Sequence, residues 1–279
     1  DILPELPPDD GIAYISCYVE GEDEAGGYKG TKLKELCTYI QKELDNMSSY
    51  MDTGTGKISI TETEDKEWID KWKEFFHPFR LEGNIVIQPT WTEKAATGSD
   101  DIEILIDPGT AFGTGSHETT KLCISYLKKY IDRDKNLSVL DAGCGSGILS
   151  IVARKLGASR VYGIDIDELA VKASKDNLEL NGITEDTYEI VKGDVIGDRD
   201  FADNVVKIGQ YDIVVANILA DVIIPLSGVI RAFMKPGGVF ITSGIIDMKE
   251  NAVKAALTDN GFDIIDISHM GEWVSIVAE

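Results

Sequence analysis

The stretch Val139-Leu140-Asp141-Ala142-Gly143-Cys144-Gly145-Ser146-Gly147 decides how the rest of the chain is read. A short apolar run enters a glycine-rich turn, and an apolar-periodic segment at residues 148–156 follows at once. That pattern is strand, turn, helix. Glycines at this point let the backbone approach a ligand with no Cβ in the way, at the carboxyl end of a buried strand. The spacing is Gly-x-Gly-x-Gly, with Asp141 two residues ahead of the first glycine. It differs from the Gly-x-Gly-x-x-Gly turn whose following helix N-terminus holds a pyrophosphate.

Outward from this stretch, strands are predicted at residues 138–141, 160–165, 188–191, 211–217, 238–243, 262–267 and 273–277, and helices at 148–156, 168–181, 221–234 and 249–260. Such alternation implies a mostly parallel sheet with helices on both faces. Only residues 268–272 separate the last two strands, too few for a crossover helix, so these strands are expected to pair antiparallel. The fold class is therefore α/β, a doubly wound, mostly parallel seven-stranded sheet over residues 96–279, with a smaller α+β domain in front of it.

Residues 1–62 hold a predicted strand at 13–19, a Gly- and Glu-rich loop at 20–30, a helix at 31–46 and a second strand at 57–61. In the helix Leu33, Leu36, Cys37, Ile40 and Leu44 recur at helical spacing. So few elements close a core poorly, and further elements are expected ahead of Asp1. Residues 63–95 read as a connector, with a helix at 64–76 and a strand at 85–87. Trp68, Trp72, Phe75 and Phe76 share one face of that helix and are expected to pack rather than bind a cofactor.

The carboxyl ends of the other predicted strands carry polar residues. Gly163-Ile164-Asp165 ends the second, and Asp165 lies 22 residues beyond Gly143, where a ribose-binding carboxylate is expected. Asp167 is better placed to cap the helix starting at Glu168. Lys192-Gly193-Asp194 ends the third strand; Asp194 reads either as a partner for an adenine amino group or as a turn cap. The fourth ends Val214-Val215-Ala216-Asn217-Ile218-Leu219, and an amide oxygen there can accept a hydrogen bond from an incoming amine. Upstream, residues 107–120 look like a phosphate loop but lack its Gly-Lys-Ser/Thr ending, and read instead as a mobile lid. Lys235-Pro236-Gly237-Gly238 reads as a structural turn.

A turn at Gly143 and Gly145 tighter than the dinucleotide one suits the methionine portion of S-adenosylmethionine, with Asp165 on the ribose, Asp194 near the adenine and Asn217 as the catalytic residue. The chain resembles the bacterial ribosomal-protein methyltransferase family PrmA from about Trp68 to its C-terminus. DPGTAFGTGSHETT (107–120), LDAGCGSGILS (140–150), GIDID (163–167) and VANILA (215–220) stand in that family's order. The resemblance implies a class I methyltransferase domain of Rossmann-like fold, with cofactor contacts on Thr120, Gly143, Asp165 and Asn217. It also implies a small N-terminal domain that grips the protein substrate, and trimethylation of amino groups on large-subunit ribosomal protein eleven. Two departures stand out: the 23 residues from Thr120 to Gly143 are slightly more than the family's separation, and the family's opening strand and helix are expected ahead of Asp1, outside this numbering.

Composition bounds the partners. Twenty-seven Lys and Arg face 49 Asp and Glu, for a formal charge of −22. That field repels phosphate backbones and favours a basic partner, here a basic ribosomal protein, with no direct nucleic-acid substrate expected. Cys17, Cys37, Cys123 and Cys144 form no CxxC pair, and His77, His117 and His269 show no ligand spacing, so no metal is expected. The start of the chain lacks the basic and apolar runs of a signal peptide, and the apolar stretch 213–230 is broken by Asn217, Asp221 and Pro225. A cytoplasmic protein with no membrane partner is expected. The rival readings are a methyltransferase acting on RNA or on a glutamine of another protein, and a non-catalytic cofactor-binding ribosome-assembly protein.

Overall fold

A computed structural model of the chain describes residues 31–48, 54–59, 76–107 and 113–279. The expected strand at 13–19, the loop at 20–30, the aromatic helix up to residue 75 and positions 108–112 of the expected lid lie outside the described residues. The chain divides into two compact units, Asp1–Glu64 and Asp65–Glu279. In the first, α1 (Thr31–Met47) half-buries Leu36, Cys37, Ile40 and Leu44 while Glu35, Tyr39 and Gln41 face solvent, as the spacing predicts. Residues 57–59 carry no strand pairing, and the rest of the strand expected at 57–61 lies outside the described residues.

The second unit opens with a small sheet of β1 (Phe79–Leu81), β2 (Ile85–Pro89) and β3 (Ile102–Ile106), in that order. β1 and β2 form an antiparallel hairpin, and β3 lies parallel to β2. Part of the segment expected to act as a connector thus supplies two strands to this unit.

Then come α2 (Glu118–Tyr130), β4 (Ser138–Ala142), α3 (Ile148–Leu156), β5 (Arg160–Asp165), α4 (Glu168–Leu180), β6 (Tyr188–Lys192) and α5 (Arg199–Ile208). β7 (Tyr211–Asn217), α6 (Ala220–Ile230), β8 (Met234–Ile246), α7 (Glu250–Asp259), β9 (Ile264–Met270) and β10 (Trp273–Ala278) complete it. The large sheet runs β6-β5-β4-β7-β8-β10-β9. β6 through β8 are parallel, and β10 is antiparallel to both neighbours, as the short 268–272 link demands. α5 was not foreseen: Asp198 caps it by accepting from Phe201 N at 3.0 Å, and its apolar face buries Val205 and half-buries Phe201, Ala202 and Val206 against the core.

Side chains alternate across the strands. Val139, Val161 and Val215 enter a core shared with α2, α3 and the small sheet. Leu140, Tyr162 and Val214 enter a second core beneath α6 and α7. Two filled faces are what a parallel sheet with long apolar strands requires.

One edge is closed by side chains. Asn181 donates from Nδ2 to Leu105 O at 2.7 Å and accepts at Oδ1 from Leu105 N at 2.9 Å. Asn177, one helical turn earlier on α4, does the same to Asp107, accepting from its N at 2.9 Å and donating to its O at 2.9 Å. Four residues of helix rise about 6 Å and two of strand about 6.6 Å, so the two amides match the backbone repeat beyond β2 and act as a surrogate strand. Replacing Asn181 by Leu leaves the Leu105 N–H and C=O without these partners, and urea titration is expected to register a loss of about 2–4 kcal/mol. A loss below about 0.5 kcal/mol would show that the pairing contributes little.

Candidate active site

β4 sits between β5 and β7, and the chain winds away from it in both directions. Reversal of strand order opens a crevice at the carboxyl edge. Asp165 ends β5, the Gly143–Gly147 turn follows β4, and Asn217 ends β7.

The residue after Asn217 explains the glycines. A Cβ on Gly143, whose φ is 83°, would lie 2.6 Å from Ile218 Cγ2. From the other side Gly244 of β8, with φ of 86°, comes so near that a Cβ there would lie 2.3 Å from Ile218 O. Ile218 N also donates to Ser243 O at 3.1 Å. Ile218 is clasped by two glycines from two strands, and the clasp fixes where the Asn217 side chain leaves β7.

Asn217 Nδ2 donates to Thr120 Oγ1 at 3.2 Å, and Thr120 is fully buried in the first turn of α2. These two predicted site residues lie 97 positions apart in sequence. α2 is tied to β9 by Tyr126 Oη donating to Ser268 Oγ at 2.7 Å and by Lys129 paired with Asp266 at 2.5 Å. His117 caps its start, accepting from Thr119 N at 3.3 Å, and packs edge-on against Trp273 at 4.9 Å between centroids. With its amide nitrogen engaged, Asn217 presents Oδ1, to which no described residue donates.

Gly145 N donates to Asp165 Oδ2 at 2.9 Å, and Asp167 N donates to Asp165 Oδ1 at 3.0 Å. Each carboxylate oxygen therefore keeps acceptor capacity for a ligand hydroxyl. Asp167 caps α4 by accepting from Leu169 N at 2.9 Å. Asp194 is exposed and anchors its own turn, accepting at Oδ1 from Ile196 N at 2.8 Å and Gly197 N at 2.9 Å. No hydrogen bond among the described residues joins Asp194 to Thr120, Gly145, Asp165 or Asn217.

Asp141 lies beneath the turn, fully buried. Ser150 Oγ of α3 donates to its Oδ2 at 2.7 Å, while Oδ1 is buried with no protein partner. Burial pushes this carboxyl up to about 7; the Ser150 hydrogen bond opposes the rise and the charge of Asp165 adds to it. Burial also drives the Cys123 and Cys144 thiols upward, with the charge of Asp141 contributing, so both stay protonated. Sequence reading noted Asp141 but missed Ser150, Gly244 and the His117–Trp273 pair. A serine on the helix after the motif was the only available signal.

The profile of the family described as "Ribosomal protein L11 methyltransferase (PrmA)" matches residues 21–279. A ribosomal protein L11 methyltransferase of Lachnoclostridium phytofermentans is 51% identical over 292 residues, spanning 100% of this chain and 84% of that one. One of Agathobacter rectalis is 48% identical over 282 residues, spanning 100% of this chain and 84% of its own. Among solved structures, ribosomal protein L11 methylase from Lactobacillus delbrueckii subsp. bulgaricus aligns with a TM-score of 0.65 at 32% identity, covering 73% of this chain and 98% of that chain.

The buried carboxyl has a consequence for stability. An acid whose pKa rises on folding keeps a proton that the unfolded chain has already lost, so stability falls as pH climbs between the two values. The unfolded value lies near 3.9 and the folded one at about 7. Thermal melts of the cofactor-free protein are expected to show Asp141→Asn gaining on the parent from about pH 4 to about pH 7, with a constant difference above. Parallel curves through that range would mean that Asp141 is ionised throughout.

Proposed function

The chain belongs to the PrmA family of ribosomal protein L11 methyltransferases, and from that premise we propose that it transfers methyl groups from S-adenosylmethionine to amino groups of ribosomal protein L11, on lysine side chains or the N-terminus. The observation that carries this reading is the Asn217 amide, clamped by Thr120 and by the Ile218 clasp, with Oδ1 open at the carboxyl edge. An enzyme with 49 acidic and 27 basic residues suits a lysine-rich partner. No helix among the described residues is long and apolar enough to cross a membrane, and the reading places the enzyme in the cytoplasm with its substrate.

The residues present fit the cofactor. The Gly143 and Gly145 turn exposes backbone without Cβ, Asp165 holds spare acceptor capacity for ribose hydroxyls, and Asp141 Oδ1 is a buried acceptor suited to a cationic group. Asp194 joins through its remaining acceptor sites, while its Oδ1 holds the turn. S-adenosylmethionine supplies an activated methyl on a sulfonium. Thr120 positions the Asn217 amide, whose Oδ1 accepts an N–H of the incoming amine and so aims the nitrogen lone pair. The amide itself neither takes nor releases a proton. A free lysine has a pKa near 10.4. Desolvation at the crevice lowers it, so the amine can arrive neutral without a dedicated base.

We assign substrate recognition to residues 1–62, where 13 acidic residues outnumber 5 basic ones, joined through 63–95 to the methyltransferase domain at 96–279. A fragment spanning the second compact unit, residues 65–279, is expected to bind cofactor normally yet methylate intact ribosomal protein far more slowly. Full-length rates from that fragment would remove the assignment.

Asp165 and Asn217 separate binding from turnover. Calorimetry on Asp165→Ala is expected to show cofactor affinity weakened by about 1.5–3 kcal/mol. Single-turnover methyl transfer by Asn217→Ala is expected to slow about 100- to 1,000-fold, with cofactor affinity near normal. If Asn217→Ala turns over at the parent rate, the catalytic assignment fails.

A further inference from the structure

Seven of the eleven large apolar side chains exposed among the described residues follow strand ends or lie in the β9–β10 turn at the carboxyl edge. Three flank Asp165 and Asp194. The other four lie across the site on the Asn217 side: Leu219 is 67% exposed, Val222 39%, Met248 84% and Met270 37%. Strand ends that merely turn back into helices do not need so much apolar surface in water, and a patch of this kind beside a reactive site marks a binding surface.

Hydrogen bonds tie together the segments that carry the four. Leu219 stands two residues past Asn217 and precedes α6; Val222 N donates to Leu219 O at 2.8 Å. Lys249, next to Met248, bonds Asp221 Oδ1 at 3.0 Å and so ties the start of α6 to the segment before α7. Asp247 N donates to Glu272 O at 2.9 Å, which brings the β9–β10 turn and Met270 alongside. Trp273, at the end of that turn, meets His117, whose helix carries Thr120 and thereby leads back to Asn217.

Resting on the function proposed above, we infer that Leu219, Val222, Met248 and Met270 seat an apolar side chain next to the target lysine on an extended segment of the protein substrate. Charge selects the occupant. Asp247 and Glu272 rim the patch with no cationic partner among the described residues, while Lys249 is neutralised by Asp221. A lysine-bearing segment places its ammonium over this acidic rim and its apolar neighbour on the patch. A second copy of the chain would set the same acidic rim against itself, and an anionic membrane or nucleic acid would be repelled. Met248 suits the task because a flexible, polarizable thioether adapts to several apolar partners, as sites on one substrate with different flanking residues would demand.

The test compares the full-length enzyme with Met248→Ser, Leu219→Ser and the double variant, using purified ribosomal protein L11 and measuring KM for it, cofactor affinity, melting temperature and native mass. The inference expects KM to rise roughly five- to thirty-fold in the double variant, with cofactor affinity, melting temperature and mass unchanged. Glu272→Lys is expected to raise KM as well and to flatten its salt dependence. An unchanged KM in the double variant overturns the inference. A fall in melting temperature, or in mass if the parent is oligomeric, also overturns it, because the patch would then be covered by the chain itself or by a second copy. If the parent enzyme methylates no ribosomal protein at all, the function proposed above fails instead, and the two failures are distinct.

Discussion

Ile218 sits where two strand ends meet, and the site depends on the space left for it. Its side chain needs the missing Cβ of Gly143, and its carbonyl needs the missing Cβ of Gly244. The two contacts differ in kind. A methyl at Gly143 would meet the branch methyl of a side chain, whereas one at Gly244 would meet backbone next to the β7–β8 pairing. Both glycines also adopt positive φ, which strains any other residue. The glycine turn after β4 and the Asn217 amide are therefore not independent modules. One close-packed residue couples them, so the packing of the turn also bears on the direction of Asn217.

Electrostatics at the crevice follow from burial. Asp141 and Asp165 stand under and beside the same turn, and only the second has access to solvent. Asp165 accepts from two backbone N–H groups, one on each oxygen, and keeps acceptor capacity beside the turn. Asp141 has one serine hydroxyl and an unpartnered oxygen, a setting that favours the neutral form until a cation arrives. Two carboxyls a few residues apart in space are thus given different tasks by their surroundings. Outside, acidic groups without a cationic partner among the described residues stand near exposed apolar ones.

The scaffold solves its edge problems in two ways. Beyond β8 the chain inserts β10 before β9, so the hairpin brings Met270 and the amino end of β10, Trp273, to the carboxyl edge, where a further parallel strand would have brought only its carboxyl end. Beside β3 the backbone is satisfied by Asn177 and Asn181, whose helical repeat nearly matches that of a strand. The same Asn177 amide donates to Ser146 O at 2.9 Å, so the pairing that closes the small sheet also braces the glycine turn.

Much of this was legible in the residues. Apolar runs of strand length alternating with helical periodicity gave the parallel sheet, because buried strands and amphipathic helices leave different repeats. The short link before Trp273 dictated the antiparallel end, since a crossover needs more chain than that. Gly145 and Asp165, singled out from spacing, are hydrogen-bonded because a strand-turn-helix unit confines them to neighbouring strand ends. α5 escaped notice although Phe201, Ala202, Val205 and Val206 recur at helical spacing, because the segment is short and charged residues interrupt it. Thr120 entered only through resemblance to a family, for nothing local says that a threonine on one helix will meet an asparagine 97 residues later. Gly244, Ser150 and the apolar group around Met248 belong to the same class. Local chemistry along the chain determined the kind of protein and its glycine turn; only folding decided which distant residues share a few ångströms of space, because that depends on how strands stack, and stacking is not written at any one position.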